Sequence, residues 1–430
     1  MEIIEEINEQ HSVRSVSKFI DSSDSEDDFS ERIDMLNEAD DDDATKIARK
    51  AYLEKRWRRK LVWGSASSAV YIGSLLQFFG IRGAHYQVLR KFMSFLAGEI
   101  RHHPHVDCQV SKIANVDVRI YRPATRKSLA KLPCLVYLHG GGWMVGSAES
   151  YHPLTNRLCK DTESIVISVD FRLAPEHPYP AALDDCLSVV RGILDCDLGK
   201  FEDCHLPWEI DASMVALAGD SAGGNLAATV ALDLLRMNDD RLFACAMICP
   251  VTQVSTMQHS SAIQYRPKYG RANLGWFLSI YAGVTPNSKI LKSIYNDKHV
   301  TKEHKDKYFD VVYSNRSCQV VDDCVEKDDH VPDEIFQLAT NPRAWPLLAE
   351  GRLLAKLPKM FVQSCSHDVL RDENFRFVER LRLNGTKSVT HSHMLRAQHV
   401  ESINCGVFRS KASRQGYREI IDFFKSIFNE

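Results

Sequence analysis

A serine flanked by glycines two positions away on each side, Gly219-Asp220-Ser221-Ala222-Gly223, stands where a strand should turn abruptly into a helix. Such an elbow exposes the hydroxyl and strains its backbone, and a Cβ at either glycine would strike the neighbouring strand or the following helix. Ser213 to Ala218 reads as a buried strand before it, and Asn225 to Met237 as an Ala/Leu-rich helix behind it. The chemistry open to this serine is acyl transfer. That reaction also needs a base, a group to orient the base, and donors for a tetrahedral oxyanion.

Each of those parts has a candidate. The donors are expected in the run His139-Gly140-Gly141-Gly142-Trp143, which follows the apolar strand Leu132 to Leu138. Glycines in the loop opened by His139 let backbone N–H groups approach the oxyanion, and the Ala222 N–H would complete the hole. Asp368 follows a later strand and is preferred as the orienting acid over Asp372, whose position suits a helix N-cap; Glu373 suits a dipole-favoured first turn. His391, His393 and His399 compete as base. The first two alternate as strand residues do, whereas His399 falls where the chain should leave the sheet, so His399 is preferred.

The elements that must position these residues follow a strand and crossover rhythm from about residue 108, the signature of a mostly parallel sheet flanked by helices. Val116 to Tyr121 alternates like an edge strand, and Ile165 to Val169 is a short apolar run broken only by Ser168, as expected of a strand buried on both faces. Thr252 to Trp345 breaks the rhythm. It is too long for one loop in a compact sheet and is read as a helical lid, with Trp276, Phe277, Ile280 and Tyr281 at helical spacing. Within it, the polar tract Lys302 to Asp333 reads as a surface loop.

Composition narrows the class. A chain of 430 residues, 44% hydrophobic, can bury a large core, and a net charge of -3 gives no reason to expect nucleic acid. Twelve cysteines without CxxC pairs suggest neither zinc nor a disulfide framework, and Cys245 and Cys249 read as small apolar strand residues. Residues 1 to 45 hold sixteen Asp/Glu against three Lys/Arg and read as an acidic, disordered tail; 46 to 60 hold eight Lys/Arg against one Glu. The basic hinge opens an N-terminal region, 46 to 107, of cap helices before the catalytic domain at 108 to 430. Leu61 to Ile81 is an uncharged run long enough to cross a bilayer, but it is diluted by Gly, Ser and Gln. It is read either as a spanning segment or as a helix packed on the domain or lying on a membrane surface. A cytoplasmic or membrane-surface location is favoured, with an endoplasmic-reticulum anchor as the alternative.

Together, HGGGW at 139 to 143, Asp170-Phe171-Arg172-Leu173-Ala174-Pro175-Glu176-His177-Pro178-Tyr179-Pro180, GDSAGGN at 219 to 225 and His367-Asp368-Val369-Leu370-Arg371-Asp372 resemble the hormone-sensitive-lipase-like branch of the α/β-hydrolases. Arg343-Ala344-Trp345-Pro346 and Val389-Thr390-His391-Ser392-His393 make the chain most similar to its arylacetamide deacetylase and neutral cholesterol ester hydrolase group. The resemblance implies an α/β-hydrolase fold and cofactor-independent, metal-independent hydrolysis of apolar carboxylic esters, acylglycerols or arylacetamides. By it, Ser221, Asp368 and His399 take the triad roles, Gly140 and Gly141 with Ala222 form the oxyanion hole, and Arg172 and Glu176 brace a loop. Phe171, Met144 and Val400-Glu401 depart from the group's pattern. A glutamate after the base could perturb it or obstruct the pocket, which keeps open a non-catalytic ligand-binding protein on the same fold.

Overall fold

The computed structural model describes residues 105–124, 131–195, 210–266, 274–313, 327–403 and 410–429, together with Tyr86 and Arg90. The acidic tail and the run at 61–81 lie outside the described residues. Among the described residues no helix is long and apolar enough to cross a membrane.

Eight strands form one sheet in the order β1-β2-β4-β3-β5-β6-β7-β8. They are β1 (Val106–Ile113), β2 (Val116–Pro123), β3 (Leu132–Leu138), β4 (Ile165–Val169), β5 (Ile210–Asp220), β6 (Ala244–Ile248), β7 (Lys359–His367) and β8 (Val389–Gln398). β1 and β2 run antiparallel, and every pairing from β4 through β8 is parallel. The expected edge strand at 116 to 121 is therefore an inner one. β1 covers its outer side, and its alternation reflects an antiparallel hairpin strand between β1 and β4.

The central strands are apolar on both faces because both faces are covered. In β3, Cys134, Val136 and Leu138 join one core, and Leu135 and Tyr137 the other, as the two-residue period of a strand requires. The first core takes the helices α2 (Ala181–Leu194) and α3 (Ala222–Arg236). The second is closed by α1 (His152–Thr162) and by the C-terminal helix α11 (Lys411–Phe428), through Leu158, Tyr417, Phe424 and Phe428.

Between β6 and β7 the chain forms α4 (Ser260–Tyr265), α5 (Leu274–Tyr281), α6 (Ser288–Tyr295), α7 (Lys302–Lys307), α8 (Asp333–Ala339) and α9 (Gly351–Leu354). α10 (Arg371–Leu383) follows β7. The tract expected to be a surface loop from Lys302 begins instead as helix α7. His304 on that helix is buried and hydrogen-bonded to Ser255 Oγ, and Val312 is buried beyond it, so this stretch belongs to the core beneath the inserted helices.

Candidate active site

The C-terminal ends of four parallel strands carry the site. β3 leads into the His139 loop, β5 into Ser221, β7 into Asp368 and β8 into His399. Strand ends of this kind are where open α/β sheets place ligands, because the chain turns there and exposes backbone groups.

At the elbow, Ser221 has φ 54° and ψ -117°, a conformation an L-residue adopts only when its surroundings enforce it. The surroundings are visible at the glycines. A Cβ on Gly219 would lie 2.3 Å from the Gly223 carbonyl oxygen, and one on Gly223 would lie 2.0 Å from the Leu138 oxygen. Ser221 is partly exposed at the start of α3, while every other residue through Leu235 is buried.

Ser221 Oγ lies 3.0 Å from His399 Nε2, and His399 Nδ1 lies 2.8 Å from Asp368 Oδ2. With Nδ1–H donating to the carboxylate, Nε2 is left to accept the serine proton. Asp368 is fully buried, and its other oxygen accepts from the Leu370 N–H, which fixes the carboxylate in its turn. Burial works to lower the His399 pKa. The Asp368 charge and hydrogen bond, with the adjacent Cys249 thiol, outweigh it and hold the imidazole well above its usual range.

The rival residues are engaged elsewhere. His391 Nε2 and His393 Nδ1 both lie 2.9 Å from Ser364 Oγ on the face of β8. Asp372 is not an N-cap; Leu370 holds that position, and Asp372 sits in the first turn of α10, accepting from the Ser261 N–H at 2.8 Å and pairing with Arg371. Glu373 does lie in that first turn, but not at the surface. It is buried, accepts from the Thr252 N–H and Gln253 Nε2, and burial pushes its carboxyl up to about 8.

The donor set needs one correction. Gly140 is buried, and its N–H donates to Asp220 Oδ1 at 3.0 Å and also faces the Tyr151 hydroxyl at 3.1 Å, so it is turned away from the cleft. The His139 ring is equally removed, buried flat against Phe171 with Nδ1 at the Gly140 oxygen. Gly141 and Gly142 are partly exposed, and their N–H groups, like that of Ala222, find no acceptor among the described residues. Gly141 and Gly142 have φ +113° and +61°, which a glycine adopts at little cost.

Asp220 escaped the reading of the sequence. Its carboxylate also accepts from Tyr137 at 2.8 Å and Tyr151 at 2.9 Å, and burial pushes its carboxyl up to about 6 against those bonds. The signal was an acid closing a buried strand, beside a tyrosine on the paired strand β3. The helices inserted between β6 and β7 contribute two more contacts. On α5, one turn apart, Phe277 lies directly over the Cα of Gly142, and Tyr281 stacks on Trp143 with centroids 4.4 Å apart.

A family model for the alpha/beta hydrolase fold matches residues 135–304. Arylacetamide deacetylase of Mus musculus is 32% identical over 359 residues, which cover 80% of this chain and 86% of that protein. The chain belongs to the arylacetamide deacetylase family of α/β-hydrolases. Neutral cholesterol ester hydrolase 1 of Mus musculus is 24% identical, covering 82% of this chain and 87% of its own. A thermostable esterase from Pseudomonas putida shares the fold, with a TM-score of 0.58 at 18% identity over 80% of this chain and 90% of that one.

In this arylacetamide deacetylase relative, the braces and the departures have structural places. Arg172 grips Asp185 with two nitrogens, and Glu176 pairs with Arg90 at 2.8 Å. Val400 takes φ +51°, and the Glu401 carboxylate accepts from the Gln398 N–H and the Ser410 hydroxyl. Glu401 thus staples the turn that carries His399. Cys249, read from sequence as apolar filler, lies against that histidine.

Proposed function

We propose that this chain hydrolyses apolar carboxylic esters through an acyl-enzyme on Ser221. The observation that carries the reading is the unbroken relay from Ser221 Oγ through His399 to the buried Asp368, built on a strained elbow. In the first step His399 Nε2 takes the hydroxyl proton as Oγ attacks the acyl carbon, and Asp368 stabilises the imidazolium. The oxyanion is received by N–H groups of Gly141, Gly142 and Ala222. His399 then returns the proton to the departing alcohol, and water, deprotonated by the same histidine, releases the acid.

Apolar substrates are supported by the partly exposed Phe277 beside the donor loop and by the relatives named for arylacetamides and cholesterol esters. Arylacetamides belong to the proposed range because amide and ester cleavage share this tetrahedral intermediate. Turnover of p-nitrophenyl butyrate and of an aryl acetamide by purified protein tests the reading. Ser221-dependent release of p-nitrophenol from the ester, or of arylamine from the amide, supports it, and absence of Ser221-dependent turnover of both overturns it.

A further inference from the structure

Two adjacent parallel strands bring together thiols that ester hydrolysis does not use. Cys249 follows β6 and Cys365 lies near the end of β7; their Sγ atoms are 3.4 Å apart and both side chains are fully buried. Cys249 also lies against His399, and ligand atoms of Cys249, Asp368 and His399 fall within 4.8 Å of one another, with Cys365 touching this cluster through Cys249 and not itself within it. We propose that Cys249, Cys365, Asp368 and His399 form an inhibitory site for one thiophilic divalent cation of the zinc or cadmium type.

Two thiolates, an imidazole nitrogen and a carboxylate oxygen are a donor set that soft and borderline cations take tetrahedrally, and that magnesium or calcium does not favour. With metal–sulfur bonds of about 2.3 Å, two sulfurs on a tetrahedral ion stand roughly 3.8 Å apart. The 3.4 Å separation here needs to widen by only a few tenths of an ångström, but the Cys365 sulfur, which lies outside the 4.8 Å cluster of the other three donors, must also swing toward Asp368 and His399 to complete the set. His399 Nδ1 and Asp368 Oδ2 are 2.8 Å apart with a proton between them, and the cation would take that proton's place. Two thiolates and one carboxylate offset the charge of a dication, with one negative charge over. The partly exposed member is His399, so access is from its side.

Occupation would separate the imidazole from Asp368 and deprive Ser221 of an oriented base. Binding and hydrolysis therefore exclude one another. The effect on activity rests on the proposed function; the binding rests on the donor set alone. The separation of 116 positions between the two cysteines explains why no spacing motif announces the cluster.

The test uses full-length protein, treated with EDTA and then titrated with cadmium, zinc or magnesium chloride. Three quantities are followed: the ultraviolet cadmium–thiolate absorption, metal per chain after gel filtration, and p-nitrophenyl butyrate turnover relative to each protein's own metal-free rate. The expected result is one cadmium per chain at this site, a thiolate band, and at least about tenfold inhibition by cadmium and zinc that EDTA reverses, with none from magnesium. C249S and C365A should each weaken binding by about tenfold or more, since even outer-shell losses cost metal sites that much. A thiolate band or inhibition equal in wild type and both variants would overturn the proposal, as would no band in wild type. Should the wild type hydrolyse no ester, the proposed function falls, while the band and the stoichiometry still decide the metal site.

Discussion

Gly140 gives its backbone N–H to the carboxylate of Asp220, the residue immediately before Ser221, across 3.0 Å. One buried acid thus ties the donor loop after β3 to the nucleophile elbow after β5, and Tyr137 and Tyr151 complete its shell. Charge-assisted bonds of this kind contribute about 1.5–3 kcal/mol each. D220N, which keeps the shape and removes the charge, is expected to lower kcat by about tenfold or more with KM little changed. Steady-state kinetics beside a thermal melt checks this, and an unchanged kcat in a folded variant contradicts it.

The base must be neutral to accept the serine proton. Because Asp368 holds the His399 pKa above its usual range despite burial, activity is expected to fall as pH drops through a value above 6.5. D368N removes the charge that raises that pKa, so its acid limb should move to lower pH. By the serine triad template its kcat should also drop on the order of 10^4. A pH profile of kcat/KM for both proteins measures the limb.

Phe277 covers Gly142, and Tyr281, one turn on, stacks on Trp143. If Phe277 walls the acyl side of the cleft, F277A should raise kcat/KM for decanoyl over butyryl esters by about tenfold, the worth of filling space with a few methylenes. Parallel chain-length profiles of the two proteins decide it; an identical ratio would place Phe277 outside the acyl path.

The elbow glycines differ sharply from a free one. A methyl on Gly223 would sit 2.0 Å from the Leu138 oxygen and 2.5 Å from the His139 oxygen, both backbone atoms that cannot swing away. Gly385, at φ +82°, has nothing within 4 Å of the same position. G223A is expected to lose about 3 kcal/mol or more, and G385A only the roughly 1 kcal/mol of an unfavourable φ. Denaturant unfolding of both variants gives the comparison.

Much of this arrangement was legible because its determinants are local. Gly219 and Gly223 between an apolar strand and an Ala/Leu-rich helix suit a tight elbow, the short apolar runs at 132 to 138 and 165 to 169 suit central strands, and His399 falls one residue past β8. What was hidden depends on partners far along the chain. Which N–H of the glycine loop faces inward is set by the Asp220 carboxylate, 80 positions away, so Gly140 looked as suitable a donor as Gly141. Cys249 resembled any small strand residue until β7 brought Cys365 beside it. Glu373 carried the pattern of a first-turn acid, and only the packing of α10 beneath Thr252 makes it a buried anchor. The alternation of β2 suited an edge, and the hairpin with β1 could not be read from it.

Hydrolysis as proposed requires Ser221, activated by His399, to be the nucleophile. Peptide-level mass spectrometry after fluorophosphonate treatment tests it most directly. One phosphonyl adduct is expected, on Ser221, absent from S221A and slowed by orders of magnitude in H399A. An adduct on another residue, equal labelling of S221A, or a wild-type protein that takes no label would contradict it.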